Sequence, residues 1–208
     1  MDKDATKAVW RDLGLPTPHS RVLTGDAFDA AEFGLPVVMK AIASGSSIDV
    51  FICQTAEDAT QAAATLIAKL GQCLMEEFVP GSELTIGILE GQALPAIRIE
   101  TDHAFFDFTA KYTAGGAKHD FDPKLPAEVV AECQRLAVAA NDALDCRDLA
   151  RVDIRVTPDH KPMLLEINTM PGFTDVSLLP EAAAKVGITF PTLVDRLVKR
   201  AAARAVTV

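Results

Sequence analysis

With 208 residues, 49% of them apolar and 24% charged, the chain has material for one sizeable core or two small lobes. A net charge of -9 without a Lys/Arg cluster excludes a nucleic-acid footprint, and no apolar run approaches the ~18 residues that span a bilayer. The polar opening Met1-Asp2-Lys3-Asp4 is unlike a signal peptide, so a cytoplasmic location is expected. Cys53, Cys73, Cys133 and Cys146 are scattered and form no C-x-x-C pair, and His19, His103, His119 and His160 share no motif, which reads as reduced core thiols rather than a zinc site.

In chain order, residues 5–13 predict a short helix with Ala8, Val9 and Leu13 as its apolar positions, Asp4 as cap and Gly14 as stop. Residues 21–23 suit a strand, 26–32 a short helix, and 37–40 a strand ending in Lys40. Ala41-Ile42-Ala43-Ser44-Gly45-Ser46-Ser47 is a small-residue loop of the kind whose N–H and hydroxyl groups wrap a phosphate, although most such loops are plain turns. A strand follows over 48–53, then an amphipathic helix over 56–70 that ends at Gly71. Strand 73–75 runs into Glu76-Glu77-Phe78-Val79-Pro80-Gly81, where the Pro-Gly pair marks a boundary between a small lobe, 1–80, and a C-terminal lobe, 81–208. A nucleotide base could lie against such a hinge with Glu83 on its ribose; a solvated acidic linker has the same composition.

Further strands are expected over 83–89, 93–100 and 104–108, the last with Phe105, Phe106 and Phe108. Residues 113–119 lack periodicity and predict a mobile loop, which with Lys111 and Tyr112 could close over a substrate. Residues 126–144 form an amphipathic helix through Val129, Val130, Cys133, Leu136 and Ala140. Two apolar alternations, 151–156 and 164–168, flank the turn Thr157-Pro158-Asp159-His160-Lys161 and predict a β-hairpin. Its period of two puts Val152, Ile154, Val156, Leu165 and Ile167 on one face, and Arg151, Asp153, Glu166 and Asn168 on the other. Asp153 then lies nearly opposite Glu166, and paired carboxylates repel unless a cation lies between them. Carboxylates and an amide oxygen are hard ligands of the kind Mg²⁺ takes, and a solvated hairpin is the alternative reading. The tight turn Pro171-Gly172 offers N–H donors suited to developing negative charge. Residues 180–208 read as two helical pieces, the second starting at Phe190-Pro191 with Leu193, Val194, Leu197 and Val198 on one apolar face and Lys199, Arg200 and Arg204 near its end.

Several of these segments together resemble the D-alanine:D-alanine ligases of the ATP-grasp superfamily. They are Met1-Asp2-Lys3, Val38-Met39-Lys40 with Gly45-Ser46-Ser47, Met75-Glu76-Glu77-Phe78, Gly81-Ser82-Glu83 and Ala110-Lys111-Tyr112. The most specific are Arg151-Val152-Asp153, the run Glu166 through Thr174, and Ser177-Leu178-Leu179-Pro180. The resemblance implies an α+β fold of two lobes whose antiparallel sheets clamp ATP. By position it implies Lys3, Lys40 and Lys111 on the phosphates, Ser46 and Ser47 in the loop over them, and Glu76, Glu77, Phe78, Val79 and Phe106 around the adenine, with Glu83 on the ribose. Asp153, Glu166 and Asn168 would hold two Mg²⁺ ions, with Mn²⁺ as a substitute. Arg151 and the Gly172 N–H would stabilise an oxyanion, Ser177 and Leu178 would receive the second D-alanine, and Tyr112 would latch the closing loop.

Family members carry a further N-terminal α/β domain, and the chain starts at the Met-Asp-Lys element that follows it. Ala41 stands where the family usually has Pro, and Asp49 where Gly commonly stands; a carboxylate at Asp49 would weaken ATP binding if it pointed inward. The implied activity is ATP-dependent ligation of two D-alanines for peptidoglycan synthesis. The alternatives are an ATP-grasp ligase for another acid and amine, or a nucleotide-binding module without turnover. A homodimer and a separate N-terminal domain stand as candidate partners.

Overall fold

The computed structural model describes residues 2–25, 27–45, 48–100 and 118–205. They divide into two compact units, one running up to Gly81 and including Glu100 and Lys118 at the ends of two strands, the other formed by Ser82–Ile99 and by His119 onward. Each is α+β and carries an antiparallel sheet.

The first unit contains α1 (Lys3–Asp12), β1 (Ser20–Leu23), β2 (Val37–Lys40), β3 (Val50–Cys53), α2 (Ala56–Leu70) and β4 (Cys73–Glu77), with strand order β1-β4-β2-β3. Helix α2 forms where expected because Thr55 and Asp58 make a reciprocal capping box and Gly71 stops it at φ +80°. Its Ala59, Ala62, Ala63 and Leu66 pack on Val37, Met39, Cys53, Cys73 and Met75. Strand alternation sends Lys40 and Glu76 to the opposite face, where α1 lies.

Two local expectations fail here. In α1 the buried stripe is Lys3, Thr6, Lys7 and Trp10, while Leu13 is 61% exposed. The helix turns Lys7 inward onto the buried Glu76 carboxylate and Lys3 inward onto the Ser44 carbonyl. Asp2 rather than Asp4 caps it, its side chain accepting from the Ala5 N–H. The helix expected over 26–32 is absent among the described residues. Residues 30–33 form a turn, which the Asp29 carboxylate stabilises by accepting from the Ala31 N–H.

The second unit contains β5 (Ser82–Leu89), β6 (Gln92–Ala93), β7 (Ile97–Glu100), β8 (Lys118–Asp120), α3 (Ala127–Asp142), β9 (Leu149–Val156), β10 (Pro162–Asn168), α4 (Leu178–Lys185) and α5 (Phe190–Ala205). Strand order is β10-β9-β5-β7-β8, with β6 on β5. Lys118 and His119, expected in a mobile loop, are in β8. The lack of a side chain at Gly87 lets α4 approach β5: a Cβ there would lie 3.1 Å from Leu94 Cδ1 and 3.3 Å from Leu179 Cγ.

The β9–β10 hairpin forms with one irregularity that decides its faces. Leu164 pairs with Ile154, but Glu166 pairs with Asp153, so Leu165 is the extra residue of a β-bulge. Leu164, not Leu165, therefore joins Val152, Ile154, Val156 and Ile167 in the core. After the bulge, Glu166 and Asn168 fall on the face of Asp153 and Arg151.

Helix α5 also departs from its apolar pattern. Leu193 is buried, but Val194 and Val198 are exposed. The helix is held instead by arginines at i, i+4 and i+8: Arg196 Nε donates to Glu90 Oε1 at 3.0 Å, Arg200 Nε to Asp148 Oδ1 at 2.9 Å, and Arg204 Nη1 to Asp148 Oδ1 at 2.7 Å. The hydrogen bond from Arg204 leads the effects that hold the Asp148 carboxyl below its ordinary value of 3.8. A depressed carboxylate stabilises the fold above the unfolded value, and the contribution is lost as pH falls through the folded one. Asp148→Asn is expected to cost about 1 kcal/mol and to speed amide exchange across 190–205; unchanged exchange there would show that α5 is held by other contacts.

Candidate functional site

In the first unit three ionisable side chains meet in the interior. Glu76, on β4, is 2% exposed; Lys40 Nζ, from β2, donates to its Oε1 at 2.6 Å, and Lys7 Nζ, from α1, lies 2.7 Å from its Oε2. The Lys7 ammonium, with three N–H donors, also donates to Thr17 Oγ1 at 2.7 Å. Burial alone would raise the Glu76 carboxyl, but Lys40 and Lys7 outweigh it and hold it below the ordinary 4.5. Lys7 is lowered to about 8, mainly by burial and with help from the like charge of Lys40, against the pull of Glu76. Lys3, 5% exposed, donates from Nζ to the Ser44 carbonyl at 2.6 Å, and its own N–H donates to the Ile42 carbonyl, tying α1 to the stem of the Ser/Gly loop.

Near that loop, Asp49 adopts φ +61°, the left-handed region that favours glycine and that Asp tolerates. Its carboxylate does not point inward but pairs with Lys69 of α2, 2.8 Å to each oxygen. Glu77 links β4 to the segment entering β1, its N–H donating to the His19 carbonyl at 2.9 Å. Phe78 is half-buried and Val79 buried. Ser46, Ser47, Phe106, Lys111 and Tyr112 lie outside the described residues.

In the second unit the hairpin face gathers Arg151, Asp153, Glu166 and Asn168. Asp153, 8% exposed, is gripped by Arg151, with Nε to Oδ1 at 2.9 Å and Nη2 to Oδ2 at 2.8 Å, and Thr85 Oγ1 of β5 donates to Oδ1 at 2.6 Å. Burial opposes charge on Arg151, but Asp153, then Glu166 and Glu83, raise its pKa and keep it cationic. The cation demanded by the two facing carboxylates is thus a guanidinium in this structure. Glu83 faces its register partner Arg155 across β5 and β9, with Arg155 Nε 3.7 Å from Glu83 Oε2.

Among the described residues no three His, Cys, Asp or Glu side chains gather as metal ligands. The donor set is two carboxylates plus the Asn168 amide, whose Oδ1 also accepts from the Met170 N–H at 3.0 Å. Its chemistry, all oxygen with two carboxylates on one face, fits Mg²⁺, although Asp153 must share its oxygens with Arg151. Ser177 turns back into its own loop: its Oγ accepts from the Thr174 N–H at 3.0 Å, lies 2.8 Å from Thr174 Oγ1, and sits 3.2 Å from where a Cβ on Gly172 would be. Leu178 opens α4.

Sequence reasoning missed Lys7, Thr85 and Arg155. The chain's single Trp, Trp10, lies three residues beyond Lys7 and would have marked the inward side of α1. Thr85 shares strand parity with Glu83.

Two units, each an antiparallel sheet with helices, match the ATP-grasp fold of the solved ATP-dependent ligases. The family model described as "D-ala D-ala ligase C-terminus" matches residues 9–199. A D-alanine–D-alanine ligase of Desulforudis audaxviator is 44% identical over 98% of this chain and 69% of that protein, and one of Anaeromyxobacter dehalogenans is 39% identical over 99% and 68%. The Bacillus anthracis D-alanine–D-alanine ligase complexed with ATP superposes with a TM-score of 0.81 at 30% identity, covering 95% of this chain and 64% of that one. The chain belongs to the D-alanine–D-alanine ligase family and matches the C-terminal region of its members, spanning about two thirds of their length.

The buried triad makes a stability prediction. Glu76→Ala leaves two interior ammonium groups without a counter-charge and is expected to cost about 3–5 kcal/mol in denaturant unfolding. Because the Glu76 carboxyl is depressed when folded, its contribution is fully present above pH 4.5 and lost on acidification below that value. A cost under about 1 kcal/mol, in the range of an exposed pair, would contradict the assignment.

Proposed function

We propose that the chain is the ATP-handling catalytic region of a D-alanine:D-alanine ligase, acting in the cytoplasm on peptidoglycan precursors. The observation that carries the reading is the hairpin face, where the bulge at Leu165 pairs Glu166 with Asp153 beside Arg151. The family match and the ATP-bound relative support it.

In the proposed reaction the carboxylate of one D-alanine attacks the γ-phosphorus of ATP, giving an acylphosphate and ADP. The amine of a second D-alanine then attacks the acyl carbon, phosphate leaves, and the amine proton passes to a base. Lys3 and Lys40, with Lys111, would neutralise the phosphate oxygens; Ser46 and Ser47 would cover them with hydroxyl and N–H donors. Glu76, Glu77, Phe78, Val79 and Phe106 would line the base, and Glu83 would accept from the ribose hydroxyls. Asp153, Glu166 and Asn168 would hold magnesium, which when bound neutralises triphosphate charge and orients it. Arg151 and the Gly172 N–H would face the oxyanion of the second step, where loss of one donor costs ~3–4 kcal/mol in the transition state. Ser177 and Leu178 would receive the second carboxylate, and Tyr112 would latch the loop around Lys111.

Calorimetry is expected to show Mg·ATP binding by the chain, weakened at least ~10-fold in Asp153→Asn, since even partners of metal ligands are worth that much. Phosphate release stimulated by D-alanine identifies the ligase; release with other acids and amines only would redirect the substrate assignment. Binding with no acceptor-stimulated release would leave a nucleotide-binding module. No Mg·ATP affinity would overturn the reading.

A further inference from the structure

Lys7 is the buried charge that the ligase reading leaves without a task. Its side chain is fully buried, against 8% exposure for Lys40, so the two lysines on Glu76 are not equivalent. The group carries two ammonium charges and one carboxylate, one positive charge in excess inside the first unit. Each Glu76 oxygen has its own lysine, Oε2 taking Lys7 and Oε1 taking Lys40.

We infer that Lys7 is a positioning residue for anion binding: by neutralising Glu76 from the interior side, it leaves the charge of Lys40 available to an incoming phosphate. Without Lys7, Lys40 and Glu76 form a closed neutral pair, and a phosphate oxygen must compete with a carboxylate for the Lys40 ammonium. The excess charge is placed by the fold rather than by Lys40 alone. Thr17 Oγ1, at 2.7 Å, holds the Lys7 ammonium beside Oε2, and Lys7 itself reaches no solvent. Its effect on a ligand is therefore transmitted through Glu76 and Lys40. This rests on the proposal that Lys40 meets the phosphates of ATP.

The test compares ATP with adenosine, which shares the base and ribose but carries no phosphate. Lys7→Gln keeps a polar group against Glu76 and removes only the charge; Lys7→Met removes both. Calorimetry on the full chain is expected to show both variants binding ATP roughly two- to thirty-fold more weakly, the range for residues that modulate a site they do not touch, with adenosine affinity unchanged. In a Glu76→Gln background, where no carboxylate competes for Lys40, the same Lys7 change is expected to cost less. Retained adenosine binding shows that the variants are folded; if Lys7→Met does not fold, Lys7→Gln carries the comparison. ATP affinity equal to the parent's, or an equal loss for ATP and adenosine, overturns the inference and leaves Lys7 a structural staple. Failure of the unaltered chain to bind ATP overturns the reading beneath it instead.

Discussion

A single extra residue in β10 sets the character of the second unit. Pairing of β9 with β10 begins with Pro162 opposite Val156 and Leu164 opposite Ile154; continued without interruption, it would set Leu165 against Asp153 and Glu166 against Val152. The bulge at Leu165 shifts the register, so Glu166 and Asn168 join Asp153 and Arg151 while Ile167 returns to the core beside Val152. Without it, a carboxylate would be forced into an apolar layer. With it, one strand pair has a hydrophobic side and a side that carries Arg151, Asp153, Arg155, Glu166 and Asn168.

The charged side is held together by electrostatics as much as by backbone pairing. Asp153 and Glu166 are register partners whose like charges repel, and Arg151 answers them with a two-point grip on Asp153. Thr85 adds a third bond from the neighbouring strand. The first unit solves the converse problem, with two inward lysines answered by one carboxylate. In both units buried charges lie beside groups of opposite charge, the condition under which an interior tolerates them.

Much of this was legible in the residues. The hairpin, α2 with its Thr55 cap and Gly71 stop, and the pairing of Asp153 with Glu166 follow from period, caps and turn chemistry. The α+β class and the ligase family followed from motifs spread along the chain, and the comparisons bear both out. What failed was the assumption that apolar residues choose the buried side. In α1 and α5 charged groups choose it: Lys7 goes inward to Glu76 and Lys3 to a backbone carbonyl while Leu13 stays out, and Arg196, Arg200 and Arg204 dock α5 while Val198 faces solvent. The bulge was equally hidden, because Leu164 and Leu165 are identical side chains and only the three-dimensional pairing tells which enters the core.

In the proposed function the bulged hairpin presents its oxygens to a metal that accompanies ATP. Crystals of the chain grown with Mn²⁺ and a non-hydrolysable ATP analogue test it through the anomalous signal of manganese. The account predicts density within coordination distance of Asp153, Glu166 and Asn168. Bound nucleotide with manganese elsewhere, and Asp153 still held by Arg151 and Thr85, would contradict it.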